Sequence, residues 1–146
     1  EVTGRFPDGT IGIAVELGRP CYGARLYDAE KIAMAVAAKG VEFEPCNPVT
    51  TMMSDPKTGK FKEELLNEKV LSAIVEMSVP YEKAEEILST IYETAKTLDC
   101  FLSLDICSKV DKNGNLPSME IVKKMGVWCS ENGKTNVGLG RPLYKG

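Results

Sequence analysis

Alternation of apolar and polar residues predicts two β-strands in this chain. Residues 10–17 place Ile11, Ile13, Val15 and Leu17 on one face and mostly small residues on the other. Residues 100–107 alternate in the same way and have a wholly apolar face. That face is made by Cys100, Leu102, Leu104 and Ile106. Both segments are therefore expected to lie in one sheet with a buried face.

Apolar residues spaced by three and four positions predict four helices. The first covers residues 29–39, between a capping Asp28 and Gly40. Its inward face is predicted to be Ala29, Ile32, Ala33, Val36 and Ala37. The others are predicted at 62–77, 80–98 and 118–125, the last capped by Ser118 and stopped by Gly126. The helices at 62–77 and 80–98 follow each other directly, so an αα-hairpin is expected.

The order of the elements indicates the fold class. An extended piece is expected at 24–27, and short strands at 41–44 and 127–129, giving the order β-α-β-α-α-β-α-β. This order predicts an α/β or α+β fold, with a sheet of three to five strands and about four helices. The 146 residues fit one domain, 1–146, in which the Gly- and Asn-rich residues 130–146 form a surface tail or arm.

Composition and charge exclude several classes of protein. Hydrophobic residues make up 43% and charged residues 27%, which is typical of a globular domain rather than a disordered chain. No stretch approaches the roughly 18 apolar residues of a membrane span. The net charge is −3 and the 18 basic residues are dispersed, so neither a membrane nor a nucleic acid is expected as a partner.

The cysteine and histidine counts restrict the chemistry further. The five cysteines are widely spaced and no Cys-x-x-Cys motif occurs, so no structural transition-metal site is expected. Their odd number, without a visible secretory leader, predicts free thiols in the cytoplasm. The chain has no histidine, which excludes Ser-His-Asp and Cys-His catalysis within it. Any catalysis would use Asp, Glu, Lys, Tyr or Cys.

Three residues are candidates for catalysis. Asp105 lies near the end of an apolar strand, where α/β folds place their sites, and Glu16 has the same position on the first strand. If these strands are neighbours, the two carboxyl groups could share a metal ion or a proton. Cys21 follows Pro20 in a predicted loop. For each, the alternative is structural: a carboxylate in solvent or capping a loop amide, and a small apolar thiol.

An internal repeat suggests a binding site for an anion. Val-Glu-Leu-Gly-Arg-Pro-Cys-Tyr at 15–22 recurs as Val-Gly-Leu-Gly-Arg-Pro-Leu-Tyr at 137–144, with six of eight positions identical. Gly18 and Gly140 would free the backbone, and Arg19 and Arg141 would offer planar guanidinium groups to a phosphate or carboxylate. We therefore expect Arg19 and Arg141 to converge on one ligand. The alternative is turn chemistry that two strands share by chance.

The first third of the chain carries a family resemblance. Residues 11–48, with Val-Glu-Leu-Gly-Arg-Pro at 15–20 and the alanine-rich helix at 29–39, resemble small proteins of unknown function from methanogenic archaea. The resemblance covers about a quarter of the chain and includes no catalytic motif. It implies an archaeal, anaerobic and cytoplasmic setting and assigns a role to no residue.

Two functions follow from these patterns. The first is binding of an anionic small molecule, a nucleotide or a carboxylated metabolite, through the Gly-Arg-Pro segments. The alternative is a non-catalytic dimeric accessory or regulatory subunit, because no complete catalytic constellation is visible. The apolar faces of the predicted αα-hairpin also favour a homodimer.

Overall fold

The computed structural model describes residues 7–130. In chain order the elements are β1 (Thr10–Leu17), β2 (Ala24–Arg25), α1 (Leu26–Ala37), α2 (Pro48–Thr51), β3 (Met53–Asp55), β4 (Lys60–Phe61), a 3-10 helix (Glu63–Leu65), β5 (Lys69–Val70), β6 (Ala73–Pro80), α3 (Tyr81–Ala95), β7 (Leu102–Cys107) and α4 (Pro117–Met125). The fold is a mixed α+β architecture, as the sequence predicts.

Within the described residues the main sheet has three strands in the order β6-β1-β7, with β1 between the other two. β1 is antiparallel to both neighbours, from Thr10 opposite Pro80 on one side and from Gly12 opposite Cys107 on the other. β6 and β7 therefore run in the same direction, and α3 connects them. This is a βαβ unit whose two strands are separated by β1. Two small sheets, β2-β5 and β3-β4, flank the main one.

The core lies between the apolar face of the main sheet and the helices α1 and α3. The central strand contributes Ile11, Ile13, Val15 and Leu17, all at most 2% exposed. The helices contribute residues that are equally buried: Ala29, Ile32, Ala33 and Val36 from α1, and Ala84, Ile87, Leu88 and Ile91 from α3. The α1 residues belong to the stripe that the sequence predicts, and the alanines allow that helix close to the sheet.

The structure contradicts the predicted helix at 62–77. Only Glu63–Leu65 is helical there, as a single 3-10 turn, and Ala73–Pro80 is the edge strand β6. Ala73, Val75, Met77 and Val79 alternate as buried residues along it. Residues 66–77 satisfy a helical spacing, but residues 73–80 form a strand because they pair with all eight residues of β1. The expected αα-hairpin is therefore absent.

Smaller differences concern the ends of elements. Residues 41–44 form only an isolated bridge between Phe43 and Met77, and residues 127–129 form no strand. Asp28 and Ser118 lie inside their helices instead of capping them. Of the expected tail at 130–146, all but the first residue lies outside the described residues.

Candidate functional site

A tight loop at the end of β1 begins the candidate site. Gly18 donates its amide to the Phe101 carbonyl at 2.8 Å and accepts from the Gly23 amide at 3.1 Å, which closes the loop. Gly18 and Gly23 have φ values of +89° and +97°, a region that favours glycine. The chain passes so close to itself that a Cβ on Gly23 would lie 2.3 Å from the Val70 carbonyl oxygen. The loop is therefore fixed to the β5 segment.

A groove of about 200 Å³ lies beside this loop. Residues from three segments line it. They are residues 22–28 except Leu26, then Lys69 on β5, and finally Asp99 and Cys100. The first segment includes β2 and the start of α1, whose first two amides donate to the Glu68 and Leu66 carbonyls. The helix amides at 26 and 27 are thus already satisfied, and the chemistry of the groove depends on its side chains.

Two cations line the groove directly opposite each other. Arg25 on β2 pairs with Lys69 on β5 in an antiparallel ladder, so their side chains leave the ladder on the same side. The Arg25 guanidinium donates to the neutral Asn67 carbonyl. Within residues 7–130 neither cation has a carboxylate within ion-pair distance. Like charges placed this way repel, so an anion between them would be stabilising.

Asp28 forms the buried floor of the groove. It is 1% exposed, and its Oδ1 accepts from Lys31 Nζ and from the Asp99 amide, both at 3.2 Å. Lys31 also donates to the Thr97 carbonyl at 3.0 Å and lies 5.0 Å from the centre of the Tyr27 ring. The carboxylate is thus held by donors of the protein itself.

Tyr27 and Asp99 form a second contact at the groove. The Tyr27 hydroxyl donates to Asp99 Oδ2 at 2.7 Å. This hydrogen bond, together with burial and the negative charges of Asp99 and Asp28, raises the pKa of Tyr27 above its ordinary value, and Arg25 opposes the shift. Tyr27 consequently stays neutral and keeps the Asp99 carboxylate engaged. Both carboxylates of the groove have partners, whereas both outer cations lack an ionic one.

Cys100 is a protonated thiol at neutral pH. Burial raises its pKa from 9.0 to about 11, and the charge of Asp28 and a hydrogen bond to it act in the same direction. The thiolate is the nucleophilic form of cysteine, so this side chain is unsuited to nucleophilic chemistry at neutral pH. Its role in the groove is to pack and to donate to Asp28.

We expect the five thiols to react at clearly different rates with a disulfide reagent at pH 8. Cys21, Cys46 and Cys129 are exposed and should react first. Cys100 should react slowest, because only about one thiol in a thousand is ionised at that pH. Mass spectrometry of the labelled peptides would identify each site. Fast labelling of Cys100 in the folded protein would contradict its partial burial and its raised pKa.

The same shift in pKa has a consequence for stability at alkaline pH. The unfolded chain ionises Cys100 near pH 9, whereas the folded protein keeps it protonated to about pH 11. Protons are therefore bound more tightly in the folded state, and the contribution of Cys100 to stability is lost as the pH rises through that interval.

The loop residues predicted from sequence do not line the groove but directly precede Tyr22, the first residue that does. Gly18 is the glycine that closes the loop, Cys21 is exposed on it, and Arg19 extends from it with 60% of its side chain exposed. The Arg19 guanidinium lies 3.5 Å from Glu16 Oε1 and so has an ionic partner within its own strand and loop. Gly140 and Arg141 lie outside the described residues, and the convergence of Arg19 and Arg141 stays a prediction.

The two candidate carboxylates occupy one face of the main sheet. β1 and β7 are neighbours, and Asp105 lies opposite Ala14 while Glu16 lies opposite Ser103. Glu16 is 6% exposed and its Oε2 accepts from the Ser103 hydroxyl at 3.1 Å. The structure gives no contact between the two carboxyl groups. Across residues 7–130, no three potential ligands are grouped closely enough to hold a metal ion.

Sequence patterns did not identify Arg25, Lys69 or Asp28 as site residues. Arg25 and Lys69 are 44 positions apart and meet through a two-residue ladder, which leaves no periodic pattern. Asp28 has the sequence pattern of a helix cap, and only its 1% exposure and its three-residue spacing from Lys31 distinguish it.

Comparisons with known proteins add no family to these observations. No protein family model, no curated protein and no solved structure matches the chain. Among the described residues, no helix has the length and apolar character that crossing a membrane requires.

Proposed function

We propose that this protein binds an anionic small molecule in the groove beside β2, between Arg25 and Lys69. The observation that carries the proposal is the direct opposition of these two cations on the groove wall, with no carboxylate paired to either within residues 7–130. The class of ligand agrees with the sequence-based hypothesis, but the residues differ. Arg19, the sequence candidate, pairs with Glu16 instead.

The chemistry of the groove defines the anion. Arg25 offers a planar fork that suits a phosphate or carboxylate, and Lys69 offers a mobile point charge. Asp28 and Asp99 line the same groove but accept hydrogen bonds from Lys31, the Asp99 amide and Tyr27. The volume of about 200 Å³ accommodates one anionic group with a small attachment. Tyr22 at the mouth, 98% exposed, offers a ring to any remaining part of the ligand.

Removal of one cation should weaken binding about tenfold or more. A charge-assisted hydrogen bond contributes roughly 1.5–3 kcal/mol, and about 1.4 kcal/mol is tenfold in affinity. The experiment is a thermal-shift titration with inorganic phosphate, nucleoside monophosphates and di- and tricarboxylates, followed by calorimetry of the best ligand. Lys69→Gln should lose most of the shift, and Arg25→Lys should also lose much of it, since a point charge does not replace a fork.

Two further variants make the experiment specific. Lys112→Gln removes a charge that is also exposed, from the turn after β7 at the end of that strand distant from the groove, and should bind as the unmodified protein does. Arg19→Ala separates the groove from the Gly-Arg-Pro hypothesis and should also leave binding unchanged. Equal losses in Lys69→Gln and Lys112→Gln would reduce the effect to general electrostatics and contradict the proposal.

A role as a dimeric accessory subunit is the second candidate function. The observation that favours it is the outer edge of β7, which has no pairing strand among residues 7–130.

A further inference from the structure

The two outer edges of the main sheet are protected differently. The edge of β6 is covered by the preceding segment, in which Phe43 bridges Met77 and the Glu44 amide donates to the Glu76 carbonyl at 2.9 Å. The edge of β7 has no pairing strand among residues 7–130. A strand with unpaired backbone groups is a template for pairing with another strand.

Three residues of β7 present their backbone groups at this edge. Gly18 donates to Phe101, which makes these two residues a hydrogen-bonded pair. In an antiparallel ladder such pairs alternate, so Ser103 and Asp105 also face β1. Leu102, Leu104 and Ile106 therefore direct their amides and carbonyls away from the sheet. No hydrogen bond of these three residues to any other part of the described chain occurs at that edge.

The edge also lacks the features by which sheet proteins avoid pairing. β7 contains no proline, lysine or arginine, and its register with β1 is uninterrupted by a bulge from Gly12 to Leu17. All six of its residues are half-buried, so side chains on both faces remain accessible to a neighbour. Asp105 carries its only charge.

We propose that β7 pairs with β7 of a second copy of this chain, antiparallel, about a two-fold axis through Leu104. Leu104 then lies opposite Leu104 of the partner subunit, and Leu102 lies opposite Ile106 of the partner subunit. A register satisfies the backbone groups of both edges only if it places outward-facing residues opposite each other. This register does so for Leu102, Leu104 and Ile106. The result is a continuous six-stranded sheet, β6-β1-β7 joined to the same strands of the partner.

The side chains of both faces are complementary in this register. On the core face, Leu102, Leu104 and Ile106 meet the same three apolar residues and extend the core across the axis. On the other face, Asp105 lies opposite Ser103 of the partner subunit, so a carboxylate meets a hydroxyl and two carboxylates are never directly opposed. A two-fold interface must be self-complementary in this sense.

Mass measured against concentration is the first test. Light scattering should give twice 15.9 kDa for the full chain at micromolar concentration. Leu104→Lys places like charges opposite each other at the axis and should give the 15.9 kDa species. Leu104→Met conserves size and polarity and should stay dimeric. Ser103→Lys should tighten the dimer, because each new cation faces Asp105 of the partner subunit. Thermal unfolding checks that each variant is folded.

Amide hydrogen exchange gives a readout that a different dimer interface would not produce. Leu102, Leu104 and Ile106 should exchange slowly in the dimer and fast on dilution or in Leu104→Lys. The amides of Ser103 and Asp105, bonded to β1, should stay slow throughout. A monomer at all concentrations overturns the proposal, as does a dimer that Leu104→Lys leaves intact. Concentration-independent protection of the three amides in a monomer would assign the edge to a segment of the same chain and also overturn it.

Discussion

Replacement of Gly23 by alanine should destabilise the fold by about 3 kcal/mol or more. Its φ of +97° costs an alanine roughly 1–2 kcal/mol, and the overlap of its Cβ adds a comparable amount. The obstacle is the Val70 carbonyl oxygen at 2.3 Å, which is backbone and belongs to the β2-β5 ladder. Relief of the overlap would therefore separate β2 from β5 and move Arg25 away from Lys69. Equilibrium unfolding in urea measures the loss.

Gly114→Ala is the matched control for this variant. Gly114 has a similar φ of +83°, but a Cβ there would meet nothing within 4 Å. It should therefore lose only the backbone contribution, about 1–2 kcal/mol. The difference between the two variants measures the cost of the close approach alone. Equal losses would show that the β5 segment yields easily and that the groove is not rigidly built.

The Gly23 variant also connects stability to function. If the groove binds an anion between Arg25 and Lys69, Gly23→Ala should weaken binding even when the protein remains folded. Gly114→Ala lies in the turn that follows β7 and should bind normally. Stability and binding can thus be followed separately in the same two proteins.

The sequence was sufficient to predict an element where the residues of that element follow one long, regular pattern. β1 was predicted at its observed bounds, because Ile11 to Leu17 alternate over the whole strand. α1 was predicted within three residues at each end, and its buried face was correct because Ala29, Ile32 and Val36 follow the helical period. In both cases the local pattern and the packing demand the same structure.

The segment at 62–77 shows where such reasoning fails. Val70, Ile74 and Met77 fit a helical stripe, whereas Val75 and Val79 fit only the alternation of a strand. Both patterns coexist locally, and the choice depends on the pairing of residues 73–80 with β1, more than fifty positions earlier. A contact of that kind is a tertiary constraint, which overrides local propensity. The expectation of a dimer through an αα-hairpin fails together with the helix at 62–77. The dimer that we propose uses the edge of β7 instead.

The loop beside the candidate site was predictable from the sequence, but the residues that line the groove were not. Gly18 marked the loop correctly, because a strand that ends in Gly-Arg-Pro must turn. The direction of Arg19 depends on the buried Glu16 beside it, which sequence spacing does not reveal. Arg25 and Lys69 become neighbours only through β2 and β5, strands of two residues each. Their pairing is visible only in three dimensions.

Removal of the Asp28 carboxylate should be the most costly change of a charged side chain in the groove. Asp28 is 1% exposed, and Asp28→Ala leaves the Asp99 amide without its acceptor and Lys31 without its ionic partner. Loss of one partner of a buried pair costs roughly 3–5 kcal/mol, and we expect about 2–3 here because Lys31 is 38% exposed. Asp28→Asn should cost less, since its amide oxygen can still accept from Asp99. Thermal and urea unfolding measure both.

The control for the Asp28 variants is a solvent-exposed ion pair with the same three-residue spacing. Glu93 and Lys96 are also three positions apart and approach to 2.7 Å, closer than Asp28 and Lys31 at 3.2 Å, but both side chains are about 70% exposed. Glu93→Gln should therefore change stability very little, because solvent screens the pair.

Cys100 supplies a second readout. Asp28 raises its pKa through charge and a hydrogen bond, so Asp28→Asn should lower that pKa and speed its labelling at pH 8. Unchanged Cys100 reactivity in a folded Asp28→Asn protein would show that the carboxylate and the thiol do not interact.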